Sequence, residues 1–206
     1  MLMGSLELPP DRKGLVILAH GTGSSRFSQR NRAVAKELRH RGFGTLLVDL
    51  LTDSEVLQPP TTFDIGLLAE RFGHAAFWAE DHFDTNRLPV GYFGASTGVA
   101  AALVHAARGH HPPRAIVSRG GRPDLAKRYL PHITSPTLLI VGGADNAVLE
   151  LNHSAQAHLS GFTKLVIVPG ATHFFSEPGA LDHVADLTAG WFETYLVDRS
   201  KAHQLG

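Results

Sequence analysis

Six short apolar runs, separated by longer stretches of helical periodicity, constrain this chain more than any other feature. The runs fall at residues 15–19, 45–49, 90–93, 115–118, 137–141 and 164–168. They are continuous rather than alternating, as strands covered on both faces must be, and they are too short for helices. Helices are predicted between them at 29–41, 65–83, 97–108, 124–130, 150–159 and 181–196. The fourth of the strands leads from the most apolar of these helices, 97–108, which is expected to be the most deeply buried. Strands alternating with helices require βαβ units, right-handed crossovers and a mostly parallel sheet with helices on both faces. A seventh strand at 6–8, short and closed by Pro9 and Pro10, fits an edge. No linker composition or internal repeat divides residues 1–206, so a single α/β domain is expected.

Composition then excludes several kinds of chemistry. The chain has no cysteine, which removes disulfides, thiolate-bound zinc, iron–sulfur clusters and thiol nucleophiles together. Acidic and basic side chains balance at 19 each and no window is densely basic, so no nucleic-acid partner is expected. The run Leu15–Ala19 is far below the roughly 20 residues needed to span a bilayer. With no basic, apolar leader at residues 1–5, the expectation is a soluble, cytoplasmic chain without a membrane partner. His110 and His111 are adjacent and His153 and His158 are five apart, neither being the i, i+4 spacing of a zinc helix. Gly21-Thr22-Gly23 is not completed into a dinucleotide-binding pattern, because Arg26 stands where the third glycine belongs. No metal or cofactor is expected.

Positive chemistry begins at Gly94-Ala95-Ser96-Thr97-Gly98. Gly-x-Ser-x-Gly is weak alone, but here it follows an apolar strand and opens an apolar helix, the context that lifts a serine onto a tight, strained turn. A serine hydroxyl needs a base and an acid to orient that base. Asp145 follows the run at 137–141, and His173 follows the run at 164–168, in a loop reading Pro169-Gly170-Ala171-Thr172. Both therefore belong to the same sheet rim as Ser96, in the order nucleophile, acid, histidine. Asp49 also ends a strand, but it precedes the serine in the chain. The loop His20-Gly21-Thr22-Gly23 after the first strong strand is suited to aim backbone N–H groups at an oxyanion, with Thr22 and Thr97 as the expected donors. His20 reads as a residue that shapes this loop rather than a second base.

On these residues the chain resembles the α/β-hydrolases, and among them the small, nearly lidless dienelactone hydrolase type, from residue 15 to residue 196. The resemblance implies an α/β-hydrolase fold in which the elbow follows the family's fifth strand, the acid its seventh and the histidine its eighth, matching Ser96, Asp145 and His173. The family's His-Gly loop matches His20–Gly23. Dienelactone hydrolase itself uses a cysteine nucleophile, whereas Ser96 stands here, so its substrate is not carried over. The family also starts with two antiparallel strands, and little chain precedes Leu15, so the first of them is expected to be missing.

Only 119–135, between Ser118 and Pro136, intervenes before the fifth strand run, room for one short helix and a minimal cap. That segment is basic, with Arg119, Arg122, Lys127 and Arg128, and Arg26 and Arg30 lie just beyond the His-Gly loop. If Arg119 or Arg26 faces the cleft, it could pair with a substrate carboxylate or phosphate; an arginine tying loops together is the alternative. His20, Gly21 and Gly23 are further candidates for substrate contact. The expected activity is hydrolysis of small to medium carboxylic esters or lactones by Ser96, His173 and Asp145. The same residues could serve an amide, peptide or thioester, or the fold could bind without turnover. The small-molecule substrate is the expected partner, with monomer and homodimer both open.

Overall fold

A computed structural model describes residues 2–58, 61, 63–109 and 111–197, apart from the side chain of Asp53. Strand β2 (Leu15–Ala19) shows why the apolar runs are continuous. Leu15, Ile17 and Ala19 enter the cluster on one face of the sheet, while Val16 and Leu18 enter the cluster on the other. Side chains alternate across a strand, so a strand with helices on both faces needs apolar residues at every position. Each fully buried leucine or isoleucine contributes on the order of 1.5–3 kcal/mol relative to exposure.

Seven strands form one sheet in the order β1-β3-β2-β4-β5-β6-β7. Here β1 is Gly4–Glu7, β3 Gly44–Val48, β4 Val90–Ala95, β5 Ala115–Arg119, β6 Thr137–Gly142 and β7 Thr163–Val168. All pairings are parallel except β1 with β3, which runs antiparallel with Gly4 opposite Val48. Helices α1 (Gln29–His40) and α6 (Ala180–Tyr195) cover one face. The other face is covered by α3 (Ile65–Asp81), α4 (Gly98–Arg108) and α5 (Asn146–Gln156), with a short α2 (Asp53–Val56) in the connection after β3. Helix α4 is the apolar one, with Val99 through Val104 all buried. Phe192 of α6 packs on Phe43, and Trp191 stacks on Phe162, so the C-terminal aromatics are used within the chain.

The structure departs from the expectations at three elements. The edge strand starts two residues before the expected 6–8 and ends one residue short of it, its backbone pairing stopping at Glu7, ahead of Pro9 and Pro10, which have no N–H to pair. The outer strand β7 is only half covered, with Ile167 42% exposed, since an edge strand has a neighbour on one side only. The segment expected to hold a short α-helix is a run of 3-10 turns, Pro123–His132, with a kink at Ala126 and Pro131 inside it. Proline lacks the N–H that an α-helix interior needs, and tight i to i+3 turns accommodate it. Of the connection from 50 to 64, residues 59, 60 and 62 lie outside the described residues, as does His110. Among the described residues, no helix is long and apolar enough to cross a membrane.

The strand order places the reactive rim. From β2 the chain moves outward to β3, then returns to the opposite side of β2 as β4. Such a reversal leaves a crevice at the carboxyl ends of the two strands, where ligands bind in open α/β sheets. Ala19 lies beside Gly94 in this register, so the loop after β2 and the turn after β4 meet there.

Candidate active site

Ser96 sits at the turn between β4 and α4 with φ of 52°, in the left-handed region that side chains disfavour. A residue held this way costs on the order of 1–3 kcal/mol, and the surroundings must enforce it. They do so through close backbone approach. A β-carbon on Gly94 would lie 2.3 Å from the α-carbon of Val99, and one on Gly98 would lie 2.4 Å from the His20 carbonyl oxygen. Ser96 N–H donates to the Arg119 carbonyl at 3.3 Å, and the Ser96 carbonyl accepts from Arg122 N–H at 3.0 Å. The glycines of the pentapeptide are thus what lets the turn close against both the next helix and the His20 loop.

Asp145 follows β6 and occupies the position before α5, yet its side chain does not cap that helix. It accepts instead from His173 Nδ1 at 2.7 Å, in the loop after β7. An ionised carboxylate can only accept, so Nδ1 carries the hydrogen and Nε2 is left as the acceptor. His173 and Ser96 line one pocket, of about 70 Å³, with His20, Gly21, Thr22, Ser24, Ser28, Arg30, Asn31, Ala95, Arg119 and Phe174. Gly21 approaches so closely that a β-carbon there would sit 2.7 Å from that of Ser96.

The pair expected to donate to an oxyanion is arranged differently from the simplest reading. Thr22 N–H donates to the Thr97 hydroxyl at 2.9 Å, and the two hydroxyl oxygens are 2.9 Å apart. The two residues are in contact, but the Thr22 amide already has an acceptor, and of the two only Thr22 lines the pocket. His20 lines the pocket and contacts its own loop and a neighbouring strand end: Nδ1 lies 2.9 Å from the Gly21 carbonyl and Nε2 3.3 Å from Asp49 Oδ1. Gly23 adopts a positive φ of 73° in the same loop and does not line the pocket.

Arg26 is a correction. It does not line the pocket; its guanidinium pairs with Asp49 Oδ2 and its N–H donates to Asp49 Oδ1 at 2.5 Å. Burial alone would raise the Asp49 carboxyl, but His20 and Arg26 outweigh it and hold the group below the ordinary carboxylate range. Asp49 is therefore a tie between loops. Arg122 is likewise structural, gripping Asp124 through two bonds of 2.8 Å, and Arg128 reaches the Tyr129 hydroxyl at 2.8 Å.

Arg119 is the one member of the basic 119–128 segment that lines the pocket. It is 7% exposed, and Nε and Nη1 have no hydrogen-bond partner among the described residues. Burial, helped by the nearby charge of Arg30, pushes its guanidinium down to about 10. Arg30, Ser28 and Asn31 were not singled out from sequence as site residues. A signal was present at Arg30, a cation in the first turn of α1, where the helix dipole disfavours positive charge. Among the described residues, no group of three or more histidine, aspartate or glutamate side chains is placed to hold a metal ion.

No family model matches the chain. A crystal structure of a dienelactone hydrolase from Anabaena variabilis ATCC 29413 superposes with a TM-score of 0.91 at 52% identity, covering 95% of this chain and 92% of that one. This chain belongs to the dienelactone hydrolase-like α/β-hydrolases. Ferulic-acid-bound Est1E from Butyrivibrio proteoclasticus matches this chain in fold, with a TM-score of 0.81 at 17% identity over 96% of both chains. Two curated Mycobacterium tuberculosis sequences, provisionally named phosphoribosyl transferases, are each 54% identical over 193 residues. That match covers 94% of this chain and 44% of each relative, so the chain spans less than half the length of the curated relatives it matches.

Proposed function

We propose that this α/β-hydrolase is a serine hydrolase that cleaves small to medium carboxylic esters or lactones through an acyl-enzyme. The observation that carries the reading is the 2.7 Å bond from His173 to Asp145, on a histidine that shares its pocket with Ser96 on a strained elbow. In this reaction Ser96 Oγ attacks the carbonyl carbon while His173 Nε2 takes the hydroxyl proton. The bond to the leaving oxygen then breaks, and His173 returns the proton to that oxygen. Water attacks the acyl-enzyme next, giving its proton to His173, and Ser96 leaves with that proton as the carboxylic acid is released. Asp145 stays ionised throughout, fixing the ring and balancing the imidazolium. Thr97 N–H, with the Thr22 amide released from the Thr97 hydroxyl, would stabilise the tetrahedral oxyanion; one such donor is worth about 3 kcal/mol.

A pocket of about 70 Å³ is small beside the roughly 300–1,000 Å³ of drug-sized ligand sites, which supports short substrates over long acyl chains. A fluorophosphonate probe should add its mass to Ser96, and Ser96→Ala should abolish both labelling and ester turnover while circular dichroism stays native. Retained ester hydrolysis in that variant would overturn the proposal. The name of the mycobacterial relatives supplies a second reading, phosphoribosyl transfer, which belongs to proteins of which this chain covers 44%. Product analysis after incubation with an activated phosphoribosyl donor and a nucleobase, beside an ester panel, separates the two.

A further inference from the structure

We propose that the pocket beside Ser96 grips the phosphoryl group of a phosphorylated ester or lactone, held by Arg119 on one side and by Arg30 with the first turn of α1 on the other. The proposal relies on the hydrolase reading for the bond that breaks, but not for the anion that binds. Water adds across the carboxylic ester, and the phosphoryl group keeps all its P–O bonds, acting only as a handle.

The fold gives several arginines a carboxylate and leaves two in this pocket, Arg119 and Arg30, with unpartnered guanidinium nitrogens among the described residues. Arg26 pairs with Asp49, Arg71 with Glu55, Arg122 with Asp124, and Arg41 with Glu37 and Asp186. Arg119 is buried more deeply than any of these, at 7% exposure, and two of its guanidinium nitrogens have no acceptor among the described residues. A buried cation without a counter-charge is costly unless a ligand supplies one. Arg30 adds a second cation to the same pocket, with Nε buried and also without a partner, and its guanidinium lies 4.7 Å over the Phe174 ring. Two like charges facing one small space, with no aspartate or glutamate among the described residues lining it, are an arrangement that a bound anion stabilises.

Shape and charge favour a phosphoryl group over a carboxylate. Strands β2 and β5 flank β4, so Arg119, at the end of β5, and α1, which follows β2, approach from either side of the elbow. Donors converging from two directions suit a tetrahedral group with three terminal oxygens better than a planar one with two. Ser28, which also lines the pocket, accepts from Asn31 N–H at its Oγ, which leaves its own proton to donate. Two guanidinium charges match a dianion.

Calorimetric titration of inorganic phosphate into the Ser96→Ala protein tests the anion site without turnover. Saturable one-to-one binding is expected, tighter than that of acetate, and weakened about tenfold or more by Arg119→Met and by Arg30→Met. Arg30 is only half-buried, so its variant keeps the test decisive if the Arg119 variant does not fold. In turnover, p-nitrophenyl esters ending in phosphate, carboxylate or hydroxyl on one short acyl chain are compared by kcat/KM. Preference for the phosphate ester, with its ratio to the hydroxyl ester collapsing in either arginine variant, is the expected result. Absent or non-saturable phosphate binding, or acetate and the carboxylate ester doing as well as phosphate, would overturn the proposal. Neutral esters cleaved without phosphate binding would sink the anion site alone, and phosphate binding without ester cleavage would sink the hydrolase reading alone.

Discussion

At the scale of single residues, the site is built from side chains placed against their local preference. Ser96 is held at positive φ, Asp145 leaves the end of α5 uncapped to reach His173, and Arg30 sits at the wrong end of a helix dipole. Each local cost is accepted for a contact made elsewhere, as happens at functional sites. Asp145→Asn can keep the hydrogen-bonded geometry, but it favours the wrong tautomer and removes the charge that balances the imidazolium. We expect kcat on a reporter ester to fall by about 10⁴ with KM little changed. Gly98→Ala forces a β-carbon into the His20 carbonyl at 2.4 Å. Chemical denaturation should show a loss of about 1–3 kcal/mol, as for an overpacked core, together with lost activity as the elbow shifts.

At the scale of elements, three loops must hold their positions at one rim, and Asp49 just after β3 ties one of them. Its carboxylate takes the Arg26 N–H and guanidinium and lies 3.3 Å from His20, which anchors the loop after β2 beside the elbow. Because the folded chain holds this carboxyl lower than the unfolded chain does, its contribution is complete above the ordinary value of 3.8 and is lost as pH falls below it. Melting temperature followed down in pH should therefore drop more steeply for wild type than for Asp49→Asn, which starts lower and has no such proton to take up. Equal slopes would show that Asp49 carries no pH-linked stability. The element boundaries were largely legible because β2 is apolar at every position and α4 is bounded by Gly98 and Gly109. The 3-10 run and the exposed face of β7 were not legible. The first depends on how Pro123 and Pro131 are accommodated, and the second on which strand ends the sheet.

At the scale of the whole molecule, the buried Arg119 charge makes the fold less stable than it could be. Its guanidinium is pushed down to about 10, so at neutral pH the folded chain holds a charge that burial disfavours. Arg119→Met should raise the unliganded melting temperature by a few degrees, the equivalent of about 1–2 kcal/mol in a chain of this size. A lowered melting temperature would instead mark Arg119 as a structural tie. The sequence by itself determined the α/β class, the order of Ser96, Asp145 and His173, and the need for glycine around the elbow. These follow from period, turn chemistry and spacing, which are local properties of a chain. Only the tertiary structure decided which arginine faces the pocket, since Arg26, Arg119 and Arg122 are equally cationic in sequence. What separates them is whether a carboxylate lies within reach, and that is fixed by strands and loops far apart in the chain: Asp49 meets Arg26, Asp124 meets Arg122, and Arg119, at the end of a central strand, is left facing Ser96 and Arg30.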